Sequence, residues 1–553
     1  MSLSIALIQV NFMAGNIEAN VARIAVLYDM AVVAKADLVV FSEMAITGYS
    51  PEDLFLSKQF QESSMQAVEE CARMTTNGPA MLVGSLWREG EAIYNAVFLM
   101  EKGRFILQQY KHHLPNYGVF DEKRYFARGA MPEPVEWRGL KLGLLICEDM
   151  WLPDVAANLR QKGAELLISI NASPFETGKP RAREQVAARR VCETGLALIY
   201  VNQIGGQDEL VFDGSSFVVD AQGEICARLH AFREDFELLR LHRQGDVWAP
   251  ISGTIQPQQD NTEMIYRAMI LGLRDFVFKN GFAGVLLGMS GGIDSALSAA
   301  LAVDAVGSER VRTLMMPSPY TSRESIADAT ECAQRLGIQL DTVSIEPGMQ
   351  AFDAMLGAVF DGQLSDQAVE DNQPRLRGSI LMAVSRKQNL LLLNTGNKSE
   401  MAVGYTTLYG DMCGHYAVLK DIYKTTVYEV AAWRNAQSDV IPQRILSKAP
   451  SAELRPDQTD QDTLPPYAVL DAILFLLVER QFAIEDVVAQ GFALELVEHV
   501  SGMLYAAEYK RRQSAPGVKI GSMSFGRDRR HPVTNGWHVM RHKQLARRLA
   551  EIR

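Results

Sequence analysis

Residues 282–301, FAGVLLGMSGGIDSALSAAL, are the stretch of this chain that decides its fold. The apolar residues 285–287 predict a buried parallel strand, because they form a short uninterrupted run before a glycine-rich segment. Residues 288–292 contain three glycines and predict a loop, and residues 294–301 predict the start of a helix. The predicted order is strand, glycine loop, helix.

The same loop has the composition of an anion-binding site. Glycines let successive backbone N–H groups point inward, and the helix start adds the positive end of its dipole, so a phosphate or pyrophosphate would be stabilised there. Ser290 and Ser295 add hydroxyl donors. Asp294 is placed to hold a Mg²⁺ ion that accompanies the phosphates.

A second interpretation of the loop stays open, because residues 288–292 also match the G-x-S-x-G nucleophile elbow of serine hydrolases. A hydrolase would need an acid and a histidine farther along, for which Asp411 with His415 or His499 are the candidates. The six residues SGGIDS, 290–295, are more specific. They resemble the pyrophosphate-binding loop of the ATP pyrophosphatases, which adenylate a substrate, and no Gly-Lys-Ser/Thr of a Walker loop follows them.

Length, charge and cysteine usage limit the classes of protein to which this chain can belong. A chain of 553 residues predicts two domains or three. Its net charge of −11 argues against a nucleic-acid partner. No apolar run approaches the roughly 18 residues of a membrane span, and the N-terminus predicts a first strand rather than a signal peptide. The six cysteines lack CxxC spacing, which favours a reducing cytoplasm and no structural zinc.

The first half of the chain alternates apolar runs with helical segments. Nine runs, from SIALIQV at 4–10 to SSFVVDAQGEICARL at 215–229, predict strands, and residues 17–34 predict a helix. Mixed strands with covering helices predict an α/β layered sandwich.

Three polar residues stand at the ends of three of these runs: Glu43, Lys111 and Cys147. Each alone is also explained as a solvated charge or a small core thiol. If the strand ends share one sheet edge, a carboxylate, an ammonium and a thiol converge there. The glutamate would accept the thiol proton, and the lysine would favour the thiolate and then the tetrahedral oxyanion. The trio predicts acyl transfer through a thioester.

The contexts of these residues resemble the nitrilase superfamily, whose members cleave amide C–N bonds with a Glu-Lys-Cys triad. The motifs are MAITGY after Glu43, YKHHLPNYGVFDE around Lys111 and ICEDMW around Cys147, and the resemblance covers roughly residues 1–245. It implies an α-β-β-α sandwich in which these residues are general base, stabilising cation and nucleophile. The glutaminase branch of that family also implies three glutamine-binding residues: Tyr117, Ser173 and Lys179.

A change of composition marks a boundary near the middle of the chain. Residues 247–262, VWAPISGTIQPQQDNT, are polar and without a clear period, and they predict a linker between domains at 1–246 and 263–553. Residues 263–279 predict a helix that leads into the glycine loop, and strands and helices alternate beyond it. This alternation predicts a doubly wound parallel sheet with its ligand at the strand ends.

Further motifs in the second half resemble the NAD synthetases over about residues 262–553. They are SGGIDS, DNQPRLR at 371–377, TGNKSEMAVGYTTLYGD at 395–411 and SKAPSAELRPDQTDQD at 447–462. The resemblance implies ATP, Mg²⁺ and deamido-NAD as ligands. One departure is Pro374, where the family often has alanine.

The same resemblance implies roles for single residues. The implied ATP-binding residues are Gly288, Ser290, Gly291, Gly292, Asp294, Ser295 and Thr395; the implied deamido-NAD-binding residues are Asn372, Glu400 and Lys510; the implied Mg²⁺ ligands are Asp294 and Glu400. Helix capping would explain Asn397 and Glu400 without any ligand, and this alternative stays open.

The order of the two halves implies a division of labour. An amidase would hydrolyse glutamine to glutamate and ammonia, and the synthetase would adenylate deamido-NAD with ATP and amidate it to NAD, releasing AMP and pyrophosphate. A protected passage for ammonia is a hypothesis drawn from the fusion. The expected partners are these small molecules and further copies of the chain, with no nucleic acid or membrane. The alternatives are a purine or tRNA acceptor, or a non-catalytic nucleotide sensor or scaffold.

Overall fold

Two units of mixed α/β structure make up the chain, Met1–Asn261 and Thr262–Arg553. The computed structural model describes residues 2–244, 247–251, 253–357, 359 and 366–537. Over those residues, no helix combines the length and the apolar character needed to cross a bilayer.

The first unit is rich in strands. They are β1 (Ser2–Gln9), β2 (Leu38–Val40), β3 (Ala80–Glu89), β4 (Ala92–Glu101), β5 (Arg104–Tyr110), β6 (Val135–Trp137), β7 (Leu140–Ile146), β8 (Leu166–Asn171), β9 (Leu198–Asn202), β10 (Ile204–Gln207), β11 (Leu210–Asp213), β12 (Phe217–Val219), β13 (Ile225–Arg228), β14 (Asp235–Gln244) and β15 (Val247–Pro250). The helices are α1 (Ile17–Val33), α2 (Lys58–Met74), α3 (Glu148–Trp151), α4 (Pro153–Gln161) and α5 (Lys179–Thr194).

Two sheets packed face to face form the centre of this unit. Their strand orders are β15-β14-β1-β2-β3-β4-β5 and β13-β12-β9-β8-β7-β6. Alternation along β1 explains the layering, because Ile5 and Leu7 are buried between the sheets while Ala6 and Ile8 pack under α1 and α2. Helices α4 and α5 cover the second sheet in the same way. The α-β-β-α sandwich implied by the nitrilase resemblance is confirmed.

The structure differs from the linker predicted over residues 247–262. Val247–Pro250 form the edge strand β15, which pairs antiparallel with β14, and Trp248 is buried in the sandwich core. A proline is tolerated at this position because an edge strand leaves one side without ladder bonds. The next helix begins at Asn261.

Helices and parallel strands alternate in the second unit. The elements are α6 (Asn261–Lys279), β16 (Gly284–Gly288), α7 (Ile293–Val306), β17 (Val311–Met315), α8 (Arg323–Leu336), β18 (Gln339–Thr342), α9 (Glu346–Leu356), α10 (Asp366–Gln388), β19 (Leu390–Asn394), α11 (Lys398–Val403), β20 (Tyr416–Ala417), α12 (Lys424–Gln437), α13 (Gln443–Ser447), α14 (Tyr467–Val478), α15 (Ile484–Val488), α16 (Leu494–Ala506) and α17 (Glu508–Arg511).

The strands of this unit form one parallel sheet of order β18-β17-β16-β19-β20. β16 lies at the centre, and the strand order changes direction between β16 and β19. In an open parallel sheet such a switch point leaves a crevice at the carboxyl ends of the strands. The predicted doubly wound parallel sheet is confirmed, and the glycine loop after β16 opens onto this crevice.

Candidate active sites

The first candidate site lies in the first unit, where the chain leaves β2, β5 and β7. The structure brings Glu43, Lys111 and Cys147 together there, and all three side chains are buried. Lys111 Nζ donates to Glu43 Oε1 at 2.7 Å. Both charges act on the Cys147 thiol, with Glu43 raising its pKa and Lys111 lowering it.

Cys147 occupies a sharp turn between β7 and α3. Its φ is +48°, which is unfavourable for a residue with a side chain, and such conformations persist where the surrounding structure holds them. The Cys147 N–H donates to Ile170 O at 3.0 Å, and its carbonyl accepts the N–H of Met150 at 3.0 Å. These bonds fix the turn that presents the thiol.

Burial and the neighbouring carboxylates set the charge states of the thiol and of the lysine. Burial is the largest cause that raises the pKa of Cys147 well above its ordinary value. The thiol is therefore protonated at neutral pH, and it needs a base when it attacks. Burial works to lower the pKa of Lys111, but Glu122 and Glu43 outweigh it, so the pKa is raised and the ammonium stays charged.

Two further residues, to which no sequence motif assigned a role, complete this polar cluster. Asn95 Nδ2 donates to Glu43 Oε1 at 2.7 Å. Glu122 accepts a second bond from Lys111 Nζ at 2.9 Å, and burial raises the Glu122 pKa to about 7 although Lys111 opposes this. Glu122 is the last residue of the quoted YKHHLPNYGVFDE, so its proximity to Lys111 in sequence was the available signal.

Glu122 leads to a prediction about pH. Because the Glu122 carboxyl ionises as pH rises through about 7, its charge-assisted bond to Lys111 forms over the same range. If this site cleaves glutamine, as the resemblance implies, its rate should rise across this step. Glu122→Gln should lower the rate at pH 8 about tenfold or more and flatten the step, as measured by glutamate release between pH 6 and 9. An unchanged profile in the variant would assign the step to another group.

The three implied glutamine-binding residues lie around this cluster. The Tyr117 hydroxyl donates to Glu148, the neighbour of Cys147, at 2.9 Å. Ser173 follows β8, and its hydroxyl accepts a hydrogen bond of 3.1 Å from Arg183 Nε. Lys179 opens α5, and its Nζ lies 5.4 Å from the centre of the Phe120 ring. The aromatic ring of Phe120 also contacts Tyr117, with centroids 5.6 Å apart.

The second candidate site is a cavity of about 320 Å³ in the second unit. It is bounded by the carboxyl ends of β16, β17 and β19. The lining includes eight residues that sequence analysis singled out: Gly288, Ser290, Gly291, Gly292, Asp294, Ser295, Thr395 and Glu400.

One glycine of the loop at this cavity leaves no room for a side chain. Gly291 has φ +81°, and a Cβ atom there would lie 2.3 Å from Ser325 O, so only glycine fits. Ser290 Oγ accepts the N–H of Gly292 at 3.2 Å and lies 3.1 Å from Ser295 Oγ. The loop is therefore held in place by its own hydroxyls at the start of α7.

Two carboxylates and a lysine face each other inside the cavity. Lys424 Nζ contacts Asp294 Oδ2 and donates to Glu400 Oε1 at 3.2 Å. Asn397 Nδ2 donates to Asp294 Oδ1 at 3.0 Å. Burial raises the pKa of Glu400 to about 7, with Lys424 opposing the increase. Sequence analysis assigned no role to Lys424.

The capping alternative for Asn397 and Glu400 is observed. Asn397 Oδ1 accepts the N–H of Glu400 at 3.0 Å, and Glu400 Oε2 accepts the N–H of Asn397 at 3.3 Å. Glu400 Oε1 remains directed to Lys424, so the cap and a role in the cavity coexist.

Asn372 and Lys510 do not line the cavity. Lys510 Nζ donates to Gly404 O at 2.7 Å and also bonds Thr406 O, and Thr406 does line it. Asn372 lies on α10, and its side chain makes no hydrogen bond among the described residues, whereas Arg377 on the same helix does line the cavity. Burial lowers the Arg377 pKa to about 10.

The serine hydrolase interpretation finds no support in the geometry. Within the described residues, the Ser290 hydroxyl bonds only Ser295 and the N–H of Gly292. His415 Nδ1 accepts the N–H of Leu392, and His499 lies on α16 outside the cavity lining. None of the histidines that the structure describes lies in the lining of the cavity that contains Ser290.

Comparisons with known proteins match each half of the chain to a known family. A carbon-nitrogen hydrolase model matches residues 4–243 and an NAD synthase model matches residues 265–514. The glutamine-dependent NAD(+) synthetase of Rhodobacter capsulatus is 45% identical over 96% of this chain and 98% of that protein. That of Acinetobacter baylyi is 42% identical over 97% of this chain and 99% of that protein.

Solved structures lead to the same family. The structure of glutamine-dependent NAD+ synthetase from Acinetobacter baumannii in complex with ADP is 40% identical, covers 97% of this chain and 99% of that chain, and has a TM-score of 0.79. The enzyme from Cytophaga hutchinsonii, at 20% identity and a TM-score of 0.84, shares the fold over 99% of this chain and 100% of that chain. On the strength of the full-length similarity, the chain belongs to the family of glutamine-dependent NAD(+) synthetases.

Proposed function

We propose that this chain makes NAD from deamido-NAD, with glutamine as the nitrogen source and ATP as the source of energy. The observation that carries the proposal is the presence of two polar sites of different chemistry in one chain. A buried thiol with a carboxylate and a lysine lies in the first unit, and a glycine-loop cavity with two carboxylates lies in the second.

In the first site, Cys147 Sγ attacks the amide carbon of glutamine. Glu43 accepts the thiol proton and passes it to the departing nitrogen, so ammonia leaves and a thioester remains. Lys111 stabilises the oxyanion that forms before the C–N bond breaks. Water then hydrolyses the thioester to glutamate. We propose that Tyr117, Ser173 and Lys179 hold the glutamine.

In the second site, the nicotinate carboxylate of deamido-NAD attacks the α-phosphate of ATP and pyrophosphate leaves. This step is needed because a carboxylate oxygen is a poor leaving group. The loop N–H groups and the hydroxyls of Ser290 and Ser295 bind the phosphates. Ammonia then displaces AMP to form the amide. We propose that Thr395 contacts ATP and that Asn372 and Lys510 contact deamido-NAD.

Asp294 and Glu400 fit the requirements of a magnesium site, because both are carboxylates that line the cavity and Mg²⁺ prefers oxygen ligands. When bound, Mg²⁺ neutralises charge on the phosphates. Lys424 lies between the same two carboxylates and offsets part of their negative charge.

This arrangement makes Lys424 a test of the metal site. Lys424→Ala should lower the melting temperature, because removing one partner of a buried ion pair costs about 3 kcal/mol or more. Added Mg²⁺ should raise the melting temperature of the variant more than that of the wild type, since it supplies the missing positive charge. Equal shifts in both proteins, measured by differential scanning fluorimetry, would contradict a shared site.

Two further proposals rest on sequence. Copies of the chain assemble with each other, and the protein works in the cytoplasm. The six cysteines are unpaired, which is consistent with a reducing compartment.

The function is tested by incubating the protein with ATP, Mg²⁺, glutamine and deamido-NAD and measuring NAD, AMP and pyrophosphate. Equal amounts of the three products are expected. Deamido-NAD is then replaced by xanthosine monophosphate or tRNA, and product from either in its place would favour a different acceptor. Failure to form AMP with any acceptor would favour the nucleotide-sensor alternative.

A further inference from the structure

Strand β7, which carries Cys147 at its end, has a partly unpaired edge. β6 pairs with β7 only over Leu140, Lys141 and Leu142. Beyond Leu142, the backbone groups of β7 on that side have no strand partner among the residues that the structure describes. Buried backbone groups are costly unless hydrogen-bonded, so other groups of the protein have to satisfy them.

Two buried side chains form hydrogen bonds with backbone groups of this edge. Gln109 Nε2 donates to Leu144 O at 3.0 Å, and Asp149 Oδ2 accepts the N–H of Ile146 at 3.2 Å. Gln109 is 8% exposed and Asp149 is 0% exposed, so water does not replace either bond at low cost. Ile146 immediately precedes the nucleophile.

Both side chains also connect this edge to the segment that carries Lys111. Gln109 lies two residues before Lys111, and Asp149 Oδ1 accepts the N–H of His113, two residues after it, at 2.8 Å. The lysine is therefore flanked on each side by a bond that leads to the strand of the cysteine. No bond of the Glu-Lys-Cys cluster itself is involved.

We propose that Gln109 and Asp149 are positioning residues, which set the distance between the Lys111 ammonium and the Cys147 thiol. The proposal deepens the glutaminase function and rests on it. A small displacement matters because the ammonium has to lie where the oxyanion develops, and a misplacement of about 1 Å can cost about 100-fold in rate. Asp149 can bind the N–H groups of His113 and Ile146 at the same time only if each of its two carboxylate oxygens accepts one hydrogen bond.

The first variant is Asp149→Asn, which keeps the size of the side chain but turns one acceptor into a donor that faces a backbone N–H. We expect glutamine-dependent kcat to fall about 10- to 100-fold with a smaller change in KM for glutamine. Alkylation of Cys147 by iodoacetamide, followed by mass spectrometry, should slow by a similar factor. NAD formation from ammonium chloride should be unchanged.

The second variant, Gln109→Leu, removes the other link and keeps the test valid if Asp149→Asn does not fold. The double variant should lose less than the product of the two single losses, because both links set one geometry. Asp154→Asn is the matched control: Asp154 bonds the ring of His113 rather than its backbone, at 2.8 Å, and this variant should behave as wild type.

The outcomes distinguish failure of the positioning role from failure of the glutaminase function on which it rests. Folded Asp149→Asn and Gln109→Leu proteins with wild-type kcat and alkylation rates would overturn the positioning role while leaving the glutaminase intact. Equal loss of glutamine- and ammonia-dependent synthesis would show general damage and would also overturn it. A wild-type protein that releases no glutamate would instead refute the proposed function itself.

Discussion

Replacing Cys147 by alanine is expected to abolish NAD formation from glutamine and to leave NAD formation from ammonium salts intact. Alanine keeps the turn between β7 and α3 but removes the only atom of the cluster that can form a thioester. Loss of a nucleophile of this kind lowers the rate by at least about 10³-fold. The second site receives ammonia directly from solution in the salt assay, so it needs no thiol.

The control for this experiment is Cys192→Ala, which removes the exposed cysteine of α5. It should leave both activities unchanged. The measurement is NAD formed per minute with saturating glutamine and, separately, with ammonium chloride at pH 8 to 9, where more of the ammonia is unprotonated. Equal loss of the two activities in Cys147→Ala would contradict the assignment of separate sites.

Much of the fold could be predicted because hydrophobic period and glycine placement are local signals. The strand, glycine loop and helix around Gly291 were predicted from consecutive residues, and so was the alternation that produces the parallel sheet. β14 and β15 were not predicted, because local signals of this kind are weak there. β14 pairs with β1, more than 230 residues away in sequence at Ser2 and His242, and its run lacks a clear period.

Some residues of the candidate sites could likewise be predicted from the sequence, and others could not. Glu43, Lys111 and Cys147 could be predicted because each stands at the end of an apolar run. Lys424 could not, since it reaches Asp294 across 130 residues and only the fold of the sheet brings them together. Asp149 stands in the quoted ICEDMW motif. Its contacts and those of Gln109 could not be predicted, however, because their partners are backbone groups, which no side-chain motif encodes.

Asp294→Asn and Glu400→Gln are each expected to remove both the glutamine-dependent and the ammonia-dependent activity. Both carboxylates line the cavity, and each replacement removes one negative charge from the site that would bind the metal ion and the phosphates. We expect a loss of about 100-fold or more in the ammonia assay. Asp304→Asn is the control on the same helix, because Asp304 pairs with Arg434 and does not line the cavity.

Glu400→Gln also separates the two roles observed for this residue. A glutamine at that position still accepts the N–H of Asn397 through its carbonyl oxygen, so the helix cap is retained while the charge facing Lys424 is lost. If capping were the whole role of Glu400, the variant would keep its ammonia-dependent activity and its pyrophosphate release. Loss of both, with an unchanged melting temperature, would instead place the carboxylate in the chemistry of the cavity, because a charge that only caps a helix end has no effect on how ATP is cleaved.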